Sequence, residues 1–214
     1  MSLPLTIAVP KGRILNPLAA LLTRAGIDAR PLLEDDRSLI REIPGGAVRF
    51  LLLKPDDVPT YVEYGAADLG VCGRDVLVER DSQVYQPLDL GIGRCRMIVA
   101  GAATKAYEGD RPRVGTKFPR TAAAHFAQRG VQAEVVFLQG SVELAPVTGL
   151  TDLIVDLVET GTTLAKNGLV ERELVAKVSS VLVANRACYK LRHQEIAPLL
   201  ARLRQVVAAS AAGA

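Results

Sequence analysis

The alternation of short β-branched runs with longer amphipathic stretches is the feature that most constrains the fold. The apolar run at residues 5–10 precedes a helical pattern at 16–27, and the run at 48–54 precedes another at 57–66. The alternation continues to a long amphipathic stretch at 193–210. Strands that alternate with helices of this length form parallel βαβ units. The sequence therefore predicts an α/β fold.

Two segments are candidates for crossings between domains. The segment DLGIGRCR at 89–96 carries two glycines between apolar runs, and the stretch 178–185 is a candidate for the return. We therefore predict a discontinuous first lobe at 1–92 plus 184–214. The inserted second lobe is expected at 93–183.

Composition argues against several classes of function. A net charge of +3, 4% aromatic residues and no Trp do not indicate a nucleic-acid partner. The first apolar run is short and follows no basic segment, so we expect neither a signal peptide nor a membrane helix, but a cytoplasmic protein. The cysteines Cys72, Cys95 and Cys188 are widely spaced, and we interpret them as buried hydrophobic residues. His125 and His193 fall in helix-like stretches, where we expect solvated or capping roles.

The stretch DLVETGTTL at 156–164 carries the strongest chemical signal. Two carboxylates lie where a buried strand is predicted to end, and small hydroxyl-bearing residues surround a glycine. Ligands of open parallel sheets bind beyond the carboxyl ends of the strands. The carboxylates can accept hydrogen bonds from a sugar diol, and the Thr-Gly-Thr-Thr turn can bind a phosphate. The pattern fits a ribose 5-phosphate; the alternative is that Thr160 caps a helix and the carboxylates are solvated.

Four segments together resemble the ATP phosphoribosyltransferase family, the first enzymes of histidine biosynthesis. They are ELAPVTGLTDLIVDLVETGTTL at 143–164, PKGR at 10–13, DVPTYVEYGAADLGVCGRDVL at 57–77 and FLQGSVELAP at 137–146. The resemblance runs over nearly the whole chain, and its motifs are specific in combination.

The resemblance implies a two-lobed fold like that of type II periplasmic binding proteins, with mixed, mostly parallel sheets and a cleft between the lobes. It implies transfer of the phosphoribosyl group from phosphoribosyl pyrophosphate (PRPP) to N1 of the adenine of ATP. The products are N1-(5-phosphoribosyl)-ATP and pyrophosphate. Mg²⁺ is expected to be carried by the substrate phosphates, and no metal ligand is assigned to the protein. Because adenine supplies the nucleophile, the lack of GxSxG, HExxH and Walker A motifs is no objection.

The resemblance also implies three groups of site residues. The PRPP loop comprises Asp156, Glu159, Thr160, Gly161, Thr162, Thr163 and Leu164. The catalytic cations at the leaving pyrophosphate are Arg13, Arg37 and Lys54. The candidates for binding ATP or pyrophosphate are Lys11, Gly12, Gly73, Asp75, Gly140, Ser141 and Glu143. Some family members carry Arg where Lys54 stands, and Lys lacks the bidentate fork. Lys117 and Arg120, in a further strand-to-helix loop, have either a site role or a purely structural one.

The chain resembles the short form of the family, which lacks a C-terminal histidine-binding domain. That form implies a regulatory subunit similar to a histidyl-tRNA synthetase, and a homodimer of catalytic chains within a hetero-oligomer. We expect the apolar face of the helix at 194–207 to pack on the core rather than to form a partner surface. Two rival functions remain open: a non-catalytic ligand-binding module on the same scaffold, and a phosphoribosyltransferase with another acceptor.

Overall fold

The computed structural model describes residues 3–103 and 109–212. The chain divides into two compact units, each with its own sheet. The first unit joins Met1–Gly93 to Ser179–Ala214, and the second is Arg94–Val178.

The strands and helices alternate along most of the chain. The strands are β1 (Leu5–Pro10), β2 (Ile40–Glu42), β3 (Val48–Leu53), β4 (Leu69–Gly73), β5 (Tyr85–Asp89), β6 (Cys95–Ala102), β7 (Arg113–Thr116), β8 (Glu134–Phe137), β9 (Leu153–Val158), β10 (Leu169–Val178) and β11 (Ser180–Ala184). The helices are α1 (Leu15–Arg24), α2 (Val58–Glu63), α3 (Arg74–Arg80), α4 (Pro119–Ala127), α5 (Leu144–Val147), α6 (Thr162–Lys166), α7 (Arg186–Leu191) and α8 (His193–Ala212). Short 3-10 turns span Arg30–Leu33 and Pro55–Asp57.

The first unit contains a six-stranded sheet in the order β2-β3-β1-β4-β11-β5. Strand β1 is parallel to β3 and β4, whereas the outer pairings are antiparallel. Helices α1 and α8 bury apolar residues such as Leu18 and Leu203 in one core cluster, and α2 contributes Val58 and Val62 to another. Both faces of β1 are therefore buried, which explains its almost unbroken apolar sequence.

The second unit contains a five-stranded sheet in the order β10-β6-β9-β7-β8. Strand β7 is parallel to β8 and β9, and β6 is antiparallel to β9 and β10. Phe126 of α4 and Phe118 just before it share a core cluster with Val155, whereas α5 and α6 belong to the cluster that contains Ile154 and Val158. Successive residues of β9 thus point to opposite cores, as strand geometry requires.

The expected packing of the last helix is confirmed. Its apolar residues Ile196, Leu199, Leu200 and Leu203 are buried in the core cluster of the first unit. None of the helices in the described ranges is both long and apolar enough to cross a membrane.

The structure corrects the expected sheet pairing and the second boundary. Among the described strands, four pairs are parallel and five are antiparallel, so the sheets are mixed but not mostly parallel. The predicted boundary between 183 and 184 is wrong: the chain returns to the first unit at Ser179. The reason is that β11 pairs with β4 and β5 and so completes the sheet of the first unit.

Local corrections concern three residues near strand ends and helices. The sequence KVSSVLVANRACY at 177–189 predicts a strand, but β11 ends at Ala184, because the side chain of Asn185 accepts hydrogen bonds from two backbone N–H groups of α7 and caps that helix. Cys188 is only half-buried, in contrast to Cys72 and Cys95. His125 is neither solvated nor a cap: it is buried, and its Nε2 lies 3.1 Å from Oε2 of Glu173.

Replacing Gly70 with Ala should destabilise the protein by about 1–3 kcal/mol, because α2 packs directly on β4 at this residue. A Cβ at position 70 would lie 2.6 Å from Cγ2 of Val62 and 2.9 Å from Cγ1 of Val58. Chemical denaturation measures the loss. The double variant Gly70→Ala/Val62→Ala removes the closest clash and should lose less stability than the sum of the single variants. Strict additivity would contradict this packing.

Candidate active site

The candidate PRPP loop connects β9 to α6. Val158 ends the strand, Thr162 begins the helix, and Gly161 between them has a φ of 82°, in the left-handed region. A side chain is strained in that conformation, which explains the glycine. Helix α6 has only five residues, so its dipole is small and the donors of this loop are its own amides and hydroxyls.

The three threonines of the loop are exposed, whereas Leu164 is not. The Oγ1 atoms of Thr160 and Thr162 lie 3.0 Å apart, and Thr163 is also open to solvent. Leu164 is 5% exposed and belongs to the core cluster under α5 and α6. The Leu164 side chain therefore anchors the loop to the core, and its expected place among the PRPP-binding residues stays a prediction.

Asp156 is held on a largely apolar face of the sheet. It lies between Ile154 and Val158, which both belong to the cluster under α5 and α6. The pKa of Asp156 is raised to about 6, chiefly by burial and in part by the charge of Glu143. The Leu157 N–H, which donates to Oδ1 at 2.8 Å, and the charge of Lys117 both lower this pKa. A carboxylate that ionises near neutrality is typical of functional sites.

Two further loops converge on Asp156. Glu143 immediately precedes α5, and Ser141 has a φ of 49°, unusual for a residue other than glycine. Lys117 follows β7, where the Thr116 hydroxyl donates to the carbonyl oxygen of Val155 at 2.7 Å and so ties this loop to β9. The sequence suggested both loops separately, but it gave no sign that Lys117 and Glu143 act on one carboxylate.

The basic candidates of the first unit collect at one edge of its sheet. Pro10 of β1 pairs with Leu53 of β3 in parallel register, so Lys11 and Lys54 follow neighbouring strand ends. The backbone N–H of Lys11 donates to the carbonyl oxygen of Leu53 at 2.8 Å. Gly12, with a φ of 93°, begins the turn that leads through Arg13 into α1.

Arg37 lies in the exposed loop before β2, and β2 begins beside the end of β3. The Leu52 N–H donates to the carbonyl oxygen of Leu39 at 2.8 Å. This bond brings the Arg37 loop to the sheet edge where Lys54 follows β3. The structure therefore gathers four sequence-predicted cations, Lys11, Arg13, Arg37 and Lys54, at the same edge.

Gly73 and Asp75 form the turn at the end of β4, which is parallel to β1. A Cβ on Gly73 would lie 2.1 Å from Oδ1 of Asp75, so a side chain at position 73 would displace this carboxylate. Asp75 is buried. The burial of Cys72 and the nearby charge of Asp75 both raise the pKa of the Cys72 thiol. Gly140 in the second unit differs, because a Cβ added there would meet no atom within 4 Å.

Within residues 3–103 and 109–212, no cluster of three or more His, Cys, Asp or Glu side chains could hold a metal ion.

The paired α/β units, with loops at the strand ends, are those of the periplasmic-binding-protein class. The periplasmic aliphatic sulphonate binding protein SsuA from Escherichia coli matches with a TM-score of 0.62 at 13% identity, over 100% of this chain and 75% of that one. The protein Tv2483, solved with L-arginine, matches with a TM-score of 0.59 at 16% identity, over 96% and 84%. At these identities the likeness concerns the fold alone.

Sequence similarity points to one family within this fold class. The family model described as HisG, ATP phosphoribosyltransferase, matches residues 54–205. A protein named ATP phosphoribosyltransferase from Sorangium cellulosum is 60% identical over 97% of this chain and 98% of its own length. The solved ATP phosphoribosyl transferase (HisG:HisZ) complex from Thermotoga maritima matches with a TM-score of 0.82 at 34% identity, over 95% of this chain and 97% of that one. The chain belongs to the ATP phosphoribosyltransferase family.

Replacing Asp156 with Asn should stabilise the protein at about pH 8 and have a clearly smaller effect at about pH 4.5, which lies between the ordinary pKa of 3.8 and the folded pKa of about 6. The folded-state pKa lies above the ordinary value of 3.8. Ionising this carboxyl therefore costs folding free energy, a cost that is absent at low pH and complete above pH about 6. After allowance for solvent screening we expect about 1–2 kcal/mol. Thermal unfolding at both pH values measures the difference.

Glu159→Gln is the matched control, because it removes an exposed carboxylate from the same loop. A pH-dependent gain in this control as large as that of Asp156→Asn would show that the net charge of the loop, and not the burial of Asp156, is responsible. An Asp156→Asn effect that did not change with pH would show that burial does not perturb this carboxyl.

Proposed function

We propose that this chain is the catalytic subunit that transfers the phosphoribosyl group of PRPP to N1 of ATP, the first step of histidine biosynthesis. The observation that carries the proposal is the 156–164 loop in a chain of this family. There a partly buried carboxylate at a strand end is followed by exposed threonines around a left-handed glycine.

The loop separates the two chemistries of a ribose 5-phosphate. Carboxylates repel phosphate but accept hydrogen bonds from hydroxyls, so Asp156 and Glu159 are assigned to the sugar diol. The amides around Gly161 and the hydroxyls of Thr160, Thr162 and Thr163 are assigned to the 5-phosphate. Asp156 accepts these bonds best when ionised, and its pKa of about 6 leaves it ionised at neutral pH.

The reaction forms a bond from adenine N1 to C1 of the ribose and breaks the bond from C1 to the pyrophosphate oxygen. The pyrophosphate leaves with the bonding electron pair, so negative charge develops on it. Arg13, Arg37 and Lys54, together with Lys11 and Gly12, are assigned to stabilise that charge. Gly73, Asp75, Gly140, Ser141 and Glu143 are assigned to bind ATP or pyrophosphate. Mg²⁺ bound to the substrate phosphates would supply further charge neutralisation.

We also propose that the active assembly contains a second kind of subunit. The Thermotoga maritima relative was solved as a HisG:HisZ complex. For this chain we infer a similar regulatory subunit, related to a histidyl-tRNA synthetase, and a homodimer of catalytic chains within a hetero-oligomer. We assign this assembly to the cytoplasm.

The direct test is a near-ultraviolet absorbance assay with the purified chain, ATP, PRPP and Mg²⁺. Inorganic pyrophosphatase removes the product and pulls the reaction forward. The assay is run with and without the regulatory subunit of the same organism. We expect absorbance to rise as N1-substituted adenine forms. No rise in either mixture, with PRPP binding intact, would favour the ligand-binding module, and turnover with a different acceptor only would favour another phosphoribosyltransferase.

Replacing Thr163 with Glu should weaken PRPP binding by about 2–3 kcal/mol, because it places a carboxylate against the 5-phosphate and removes a hydroxyl donor. Titration calorimetry measures the dissociation constant. Ala165→Glu is the control: it adds the same charge at an exposed position of α6 on another side of the helix. Equal weakening by both variants would mean that net charge alone, and not the loop, sets the affinity.

A further inference from the structure

A buried arginine organises the loop that carries Arg37. Arg41 lies in the edge strand β2, and its side chain is only 4% exposed. Its Nη1 donates to the carbonyl oxygen of Pro31 at 2.8 Å and lies 3.3 Å from Oε2 of Glu34. Its Nη2 lies 2.7 Å from Oδ1 of Asp36. All these acceptors belong to the segment that leads into β2.

The same guanidinium donates hydrogen bonds to the carbonyl oxygens of the residues on both sides of Arg37. Its Nη2 donates to the carbonyl oxygen of Asp36 at 3.2 Å, and its Nε donates to that of Ser38 at 3.2 Å. The Ser38 N–H donates in turn to Oδ1 of Asp36 at 2.6 Å. The Arg37 side chain is exposed, and no hydrogen bond or ion pair holds it to another residue of the described ranges. The backbone of this residue is thus fixed while its guanidinium stays available.

We propose that Arg41 is a positioning residue that holds Arg37 in the orientation needed at the leaving pyrophosphate. The inference rests on the proposed role of Arg37. An exposed loop that had to be ordered at each turnover would lose conformational entropy at that step. A loop already fixed by a buried side chain presents its cation in place, and small displacements of such a group reduce rates strongly.

Only arginine suits this position. Its planar group has five donors in a fixed fork, so it can serve four carbonyl oxygens and two carboxylates that surround it in different directions. Lysine has three donors on one nitrogen and would satisfy only part of the set. The carboxylates of Glu34 and Asp36 are 58% and 51% exposed, so water can solvate them when Arg41 is replaced. An apolar replacement should therefore loosen the loop without leaving a buried charge.

A double-mutant cycle separates positioning from general destabilisation. Arg37→Ala, Arg41→Met and the double variant are assayed for kcat/KM with PRPP in the complete complex, and thermal unfolding confirms that each is folded. We expect Arg41→Met alone to lower kcat/KM by about tenfold or more. In the Arg37→Ala background the same change should lower it by less than about twofold, because Arg41 then has nothing left to position.

Two matched variants complete the test. Arg49→Met removes an exposed ion pair with Glu42 across the same two strands and should leave kcat/KM unchanged. Arg41→Lys should fall between wild type and Arg41→Met; it also replaces Arg41→Met in the cycle if that variant does not fold.

Equal losses from Arg41→Met in both backgrounds, or no loss in either, would overturn the inference and leave the proposed function standing. If Arg37→Ala had no effect, the role of Arg37 and the inference would both fail, whereas wild-type turnover and the Thr163→Glu result would still support the transferase reaction.

Discussion

Parallel pairing of neighbouring strands is the interaction on which the arrangement of the candidate site depends. In the first unit β3, β1 and β4 run in one direction, so Lys54 and Lys11 follow strand ends, and Gly73 ends β4, at one edge of the sheet. In the second unit β7 is parallel to β9, so Lys117 and Asp156 lie near neighbouring strand ends. Loops distant in sequence meet because a parallel sheet aligns its carboxyl ends, and the antiparallel strands on either side extend this frame without changing it.

The period of two along β9 explains why a carboxylate is buried. Ile154 and Val158 must face the core under α5 and α6, and Asp156, midway between them, must face the same way. The carboxyl group of Asp156 thus lies on an apolar face, and its ionisation there lowers the stability of the fold. Such a cost is common where function requires a group with an altered pKa. Leu164 compensates in part, because it buries its side chain in the same cluster while its neighbours stay exposed.

The alternation of elements, the position of the 156–164 loop between a strand and a helix, and the packing of α8 follow from local patterns, and these were predictable from the sequence. Features that depend on long-range pairing were not. The return of the chain to the first unit at Ser179 is fixed by the pairing of β11, and Ser180–Ala184 is apolar enough to suit either sheet. The burial of His125 depends on Glu173, a residue of another strand. Asn185 is a different case, because Asn is a common helix-capping residue and its sequence position alone indicates the start of α7.

The late position of β11 in the chain has a consequence for synthesis. Between β4 and β5 the sheet of the first unit has a gap that only residues after Val178 can fill, whereas the second unit is one continuous segment. On the ribosome the second unit emerges complete while the first unit still lacks its inner strand β11. The facing edges of β4 and β5 in the first unit therefore stay unpaired until the second unit has been made, and unpaired strand edges are prone to aggregation. The order of emergence makes the insert the first part of the protein able to close its own sheet.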